Sequence, residues 1–326
     1  MLYRLDVENL ENAPVKTLYA LQQPRRRKKV FTVSRITLFA MVLPFIALIF
    51  AFNYIPLFGW IYAFYDYKPG IPLSNTPFAG LKFFRLLVED RDQMILVLTN
   101  TLALGFLSIL ASPLSAIFAI LLNETASNRF KKVVQTLTTL PNFISWIIVF
   151  SLASAMFSSS GLLNELLFKL HWIDDPTNVL QDPKSAWLFQ TAVSVWKSLG
   201  WGSIIYLAAI AGIDSELYEA AKVDGAGRLQ RILNVTVPGL MPTFFVLTLL
   251  GIAGVLSYGF EQYFVFNNSL VAGKIETLDL YVIRIGISSG DIPFGTAIGM
   301  AKSIVSIALL FSLNALSRKL RGQSVF

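Results

Sequence analysis

Long apolar runs alternate with polar connectors along the chain, and the lengths of the runs decide how they fold. A helix that crosses the hydrocarbon core of a bilayer needs about 20 mostly apolar residues. Six stretches meet that requirement: residues 36–55, 95–122, 133–157, 186–210, 241–266 and 294–316. Pro56 and Gly59 close the first. Pro113 and Pro141 fall inside the second and third, where neighbouring helices can satisfy the carbonyls that a proline frees. The pattern predicts an all-α integral membrane protein with six transmembrane helices. Of the connectors, 158–184 holds an apolar patch at 161–168 that predicts a short helix in the membrane interface, then a turn at Asp174-Asp175-Pro176.

Composition agrees. The 326 residues are 55% hydrophobic and 14% charged, with mean hydropathy +0.61, whereas a soluble domain carries roughly a quarter charged residues. A formal charge of +7 and the run Arg25-Arg26-Arg27-Lys28-Lys29 raise the question of nucleic acid. The run precedes an apolar span, where Lys and Arg hold a helix with its N-terminus in the cytoplasm, and no nucleic-acid partner is expected. Residues 1–24 are too polar for a signal peptide, so the first span is expected to stay uncleaved. Most Lys and Arg outside the spans then fall on one side, with Arg129, Lys131 and Lys132 in the short connector after the second span. Both termini are expected in the cytoplasm. The expected parts are a cytoplasmic segment 1–35, a peripheral first helix 36–56, an extracytoplasmic loop 57–94, a five-helix core 95–316 and a tail 317–326.

Chemistry narrows the function. There is no Cys and one histidine, His171, so no metal site is expected. A phosphate-binding loop needs a glycine-rich turn ending Gly-Lys-Ser/Thr. The nearest approach, Ala301-Lys302-Ser303, has alanine at the critical position and lies in an apolar run. No 20–50-residue repeat is present, which excludes a solenoid.

The connector between the fourth and fifth spans carries the most information. It runs from Asp214 through Glu216, Tyr218, Glu219-Ala220-Ala221-Lys222-Val223-Asp224-Gly225-Ala226 and Gly227 to Pro238. Asp214 is a natural N-cap, and Gly225 supplies a C-terminal stop. A second short helix is expected to begin near Gly227 and end before Pro238. The product is a helix-turn-helix bracket with small residues, Ala220, Ala221, Gly225 and Ala226, that leave room for close docking. This stretch resembles the EAA signature of permease subunits in binding-protein-dependent ABC importers, most of all the maltose-type carbohydrate family. Glu219, Asp224 and Gly225 match the signature position by position, while Ile232 and Val237 depart from it mildly.

That resemblance implies an ABC importer type I core and an EAA loop at about 214–238 acting as a coupling helix. Tyr218, Glu219, Ala220, Ala221, Asp224, Gly225 and Ala226 would then dock in a cleft of an ATPase subunit. It also implies a second permease forming a heterodimer, two ATPase subunits that carry ATP-Mg, an extracytoplasmic solute-binding protein and a carbohydrate substrate. This chain would bind no cofactor and sit in a bacterial inner membrane, in contact with lipid. Within the family the whole sequence is most similar to a permease subunit of a bacterial alginate importer.

Polar groups inside spans are costly and default to functional candidates. Lys197 and Trp201, four apart, share a face of the fourth span, and Tyr258, Glu261 and Gln262 are expected to share a face of the fifth. The resemblance places Trp201, Glu261 and Gln262 near family sugar contacts. Two readings stand side by side: a substrate route, or a Lys197–Glu261 ion pair that joins two helices. Lys302 is a further cation compatible with an anionic substrate. A membrane-embedded enzyme acting on lipid-linked sugars is the competing class, and it would need clustered acidic residues with metal ligands.

Overall fold

The computed structural model describes residues 33–257 and 259–321; the basic run at 25–29 and Tyr258 lie outside them. The chain divides into two compact units, residues 1–58 and 59–326. The first contains α1 (Val33–Ile49), whose Leu38, Phe39, Met41 and Phe45 are all exposed. A helix apolar all round requires an apolar surrounding, which the bilayer supplies. Pro56 and Gly59 do not end this run as expected, because a tight 3-10 helix carries it over Ile55–Phe64.

In the second unit, α2 (Lys82–Glu89) precedes α3 (Arg91–Ala111), and α4 (Pro113–Asn123) completes the second span with Pro113 at its first turn. There a missing N–H costs nothing. The fourth span is one helix, α8 (Ala186–Ala211), and the sixth is α15 (Ile292–Arg321). Among the described residues, six helical stretches are long and apolar enough to cross a membrane. The secondary structure of those residues is helical apart from one isolated bridge between Tyr65 and Phe78.

Two expected spans are broken. The third consists of α5 (Asn128–Thr139), a 3-10 turn over Leu140–Phe143 and α6 (Trp146–Phe157) capped by Ser145. A short helix, α7 (Leu162–Lys169), follows where one was expected, but within a stretch, Trp146–Lys169, that is itself long and apolar enough to cross a membrane. The fifth consists of α11 (Val237–Ala253), a 3-10 turn over Val255–Ser257, Gly259 at φ +77° and α12 (Phe260–Phe266). Apolar composition continues across both breaks, so length alone reads them as continuous. The two halves close on one core in which Phe266 meets Phe150 edge to face at 5.1 Å, with Tyr263, Val149 and Leu104 buried beside them.

Between the fifth and sixth spans, α13 (Ala272–Ile275) and α14 (Leu278–Ile283) fold back onto α3. Asn100 donates to the carbonyls of Gly273 and Glu276, and Thr101 accepts from the Leu278 N–H at 2.9 Å. Trp187 donates to the Lys274 carbonyl at 2.6 Å.

Candidate functional site

The bracket forms as expected over its first helix, α9 (Ser215–Val223). Asp214 accepts from the Glu216 N–H at 2.9 Å, satisfying a donor that the helix itself leaves orphaned. The far end closes in a Schellman arrangement: the Ala226 N–H reaches the Ala221 carbonyl at 2.9 Å and the Gly225 N–H reaches Lys222 at 3.1 Å. Gly225 sits at φ +76°, a conformation that glycine adopts without a Cβ penalty. Glu219, Ala220, Asp224 and Gly225 are exposed, as are the apolar Leu217, Val223 and Leu229.

Three features differ from expectation or were absent from it. The second bracket helix does not end before Pro238. It begins as α10 (Arg228–Arg231) and continues through a π-turn, Ile232–Thr236, into the fifth span. The Val237 N–H bonds to the Ile232 carbonyl there, and this wider turn accommodates the proline ring. Tyr218 faces inward, its hydroxyl 2.9 Å from that of Thr236. Arg228 pairs with Glu124 at 2.5 Å and also bonds its carbonyl, tying the bracket to the end of the second span. The bracket is thus joined to two spans, by Arg228, which the sequence pattern did not single out, and by Tyr218, which was expected among the docking residues.

The polar candidates inside the spans separate. Lys197 and Gln262 line one cavity of about 210 Å³ together with Asn142, Trp146, Ser194, Ser198 and Gly259. Trp201 lines an adjoining cavity that shares Ser194 and Ser198, and its ring stacks edge to face on Phe143 at 5.6 Å. Glu261 lines neither cavity; it is exposed, whereas Gln262 beside it is fully buried. Consecutive helical residues point about 100° apart, so the two do not share a face.

No Lys197–Glu261 ion pair forms among the described residues. The Lys197 ammonium donates instead to the carbonyls of Asn142 at 2.8 Å and Pro141 at 3.2 Å, and lies over the Trp146 ring at 5.2 Å. Gln262 donates to the Gln190 carbonyl at 2.7 Å and its side-chain oxygen at 2.8 Å, which leaves its own oxygen buried without a partner. Gln190 gave no sequence signal, because one glutamine in an apolar run shows no periodicity. Lys302 is not a free cation either, since it pairs with Asp279 of α14.

A second polar cluster joins α14 to α3. Glu276, 5% exposed, takes a two-pronged bond from Arg284 at 2.5 and 3.1 Å and another from Gln93 at 3.0 Å. The Glu276 carboxylate, chiefly through its hydrogen bond, raises the Arg284 pKa. Burial first, then the hydrogen bond to Asp90 at 2.8 Å, raises that of Tyr281, so Tyr281 stays a neutral donor.

Comparison with known proteins gives a concordant picture. A family described as "Binding-protein-dependent transport system inner membrane component" matches residues 111–322. Protein LplB of Bacillus subtilis is 36% identical over 293 residues, 89% of this chain and 91% of LplB. The polygalacturonan/rhamnogalacturonan transport system permease protein YteP of the same organism is 34% identical, covering 94% of this chain and 95% of YteP. A crystal structure of a bacterial ABC transporter involved in the import of the acidic polysaccharide alginate contains a chain of TM-score 0.78 and 32% identity. That match covers 87% of this chain and 96% of the other.

Proposed function

We propose, from the premise that this chain belongs to the binding-protein-dependent transport system inner membrane component family of ABC importers, that it is a permease subunit for acidic oligosaccharides. The observation that carries the substrate class is the near full-length similarity to YteP and to the alginate importer chain, whose names both carry polymers of acidic sugars. Trp201 and Gln262 are the contacts we assign to the route. An aromatic face suits a sugar ring, and the unpartnered Gln262 oxygen suits a hydroxyl. Asn142, Ser194 and Ser198 add polar groups at the same depth.

The bracket is proposed to seat in the cleft of an ATPase subunit through Glu219, Ala220, Ala221, Asp224, Gly225 and Ala226, with Tyr218 anchoring it to the fifth span. Its exposed Leu217 and Val223 support docking, because an apolar surface of that kind gains from a partner. ATP-Mg stays on the partner ATPases, whose closure would move the bracket and, through Arg228 and Tyr218, the second and fifth spans. A second permease and an extracytoplasmic binding protein complete the proposed assembly. Transport is favoured over a membrane enzyme because the relatives are named as transport permeases.

The complex, reconstituted with ATPase and binding protein, tests this reading. Uptake of oligouronates should exceed that of neutral oligosaccharides of equal length. Trp201→Ala should lower uptake about fivefold or more with assembly intact, from a lost contact of ~1 kcal/mol or more. Equal uptake of both sugars refutes the substrate class, and unchanged uptake by the variant removes Trp201 from the route.

Topology is tested separately. The sequence has no cysteine, so labelling has no background. Single cysteines at Asn75 and Asp174 should react from outside intact cells, and those at Ser127 and Lys222 should not. Reversed labelling would overturn the assignment of both termini to the cytoplasm.

A further inference from the structure

We propose that the Lys197 ammonium is a tethered cation that holds the break in the third span in shape, and that it acts on transport as a positioning residue rather than as a contact to substrate. The need for such a cation follows from the break. Where a helix is interrupted at membrane depth, its freed carbonyls have no water to turn to and must be satisfied by protein or by an ion. The 3-10 turn over Leu140–Phe143 presents two carbonyls at the C-terminal, electronegative end of α5: that of Asn142, and that of Pro141, which also accepts from the Ile144 N–H at 3.2 Å. Lys197 meets both at hydrogen-bond distance from a side chain that is 8% exposed. At contact distance its charge meets those dipoles and the Trp146 face, while the Glu261 carboxylate acts on it only through space, without an ion pair.

The fourth span is shaped to bring the ammonium there. One turn after Lys197, Gly200 lies so close to α5 that a Cβ would stand 2.2 Å from the Thr138 carbonyl oxygen. The backbones of α8 and α5 therefore meet just below the break. The break in turn sets the walls of the proposed route. Asn142 and Trp146 line the inner cavity, and Phe143 fixes the edge of Trp201. Loss of the cation should relax the turn and displace all three. The effect belongs to the protein's conformational cycle and is blind to the charge of the sugar.

The proposal rests on transport by the assembled complex and not on the acidic-sugar reading, so its readout is ATP hydrolysis stimulated by loaded binding protein. Lys197→Ala should lower the maximal stimulated rate about tenfold or more, since two charge-assisted bonds are lost. The binding-protein concentration giving half-stimulation should not change. Propylammonium, which matches the atoms removed, should restore the rate, and 1-propanol of the same shape should not. Lys197→Met keeps the stem and closes the space, so it should assemble, be equally slow and resist rescue. Loss of rate confined to acidic sugars would make Lys197 a substrate contact and overturn the proposal. So would a normal rate in the Met variant, or equal rescue by propanol. An oligouronate preference that fails while propylammonium rescue holds would remove the substrate class and leave the pin.

Discussion

Glu219→Lys and Gly225→Pro should each abolish stimulation of the ATPase by loaded binding protein, although both chains still insert and fold. The two substitutions act by different physics on one surface. Gly225 holds φ +76°, and its N–H closes the bracket helix onto the Lys222 carbonyl. Proline locks φ near −65° and has no N–H, so it removes the turn and one of its two bonds. The first bracket helix then loses its fixed angle to α10. Glu219 is exposed and, among the described residues, makes no hydrogen bond or ion pair that a charge inversion would break. In the proposed docking its reversal puts a cation in place of the anion, and losing one partner of a buried charge pair costs about 2–5 kcal/mol. Full stimulation in both variants would remove the bracket from coupling.

Gly200→Ala should destabilise the protein more than Gly202→Ala, the other glycine-to-alanine change in the fourth span. The new Cβ would lie 2.2 Å from the Thr138 carbonyl oxygen, 2.3 Å from its carbon and 2.6 Å from the Thr139 nitrogen. All three are backbone atoms, which cannot turn aside as a side chain can. Relief requires α8 and α5 to separate, and overpacking of this kind costs ~1–3 kcal/mol, more where only backbone can yield. The same separation draws Lys197 from its carbonyls, so stability and activity fall together. Gly251→Ala is the control, because nothing lies within 4 Å of its Cβ. Alanine there should be neutral or stabilising by up to ~1 kcal/mol, through helix propensity. Thermal unfolding of the purified complex measures both, and equal midpoints would refute the close approach.

The bracket was legible because its determinants are local. A cap at Asp214 and a stop at Gly225 act within a few residues, and the sequence carries them in order. The number of the spans was legible for a similar reason, since twenty apolar residues report the solvent around a helix and not its neighbours. The third and fifth membrane-length helices nevertheless run over Trp146–Lys169 and Arg228–Ala253 rather than 133–157 and 241–266. The breaks were not legible. Pro141 lies in an apolar run that reads the same whether the helix continues or stops. What the run does not show is an ammonium 55 and 56 positions away that donates to the carbonyls at the break.

Charges show the same division. Lys197, Glu261 and Lys302 are conspicuous in the sequence, and their cost in a bilayer correctly marks them as residues that need partners. The partners themselves depend on which helices touch. Lys197 took backbone, Lys302 took Asp279, and Glu261 stayed at the surface, one position from a glutamine sealed against Gln190. The sequence by itself determined the all-helical membrane architecture, the six crossings and the bracket between the fourth and fifth, because each follows from short-range propensity and transfer to lipid. Only the tertiary structure decided where spans three and five break, which polar groups line a common cavity and which ions are neutralised. Those outcomes depend on the approach of backbones remote in sequence, set by single small residues such as Gly200, and on the rule that a buried donor or acceptor takes whichever partner the packing brings within about 3 Å.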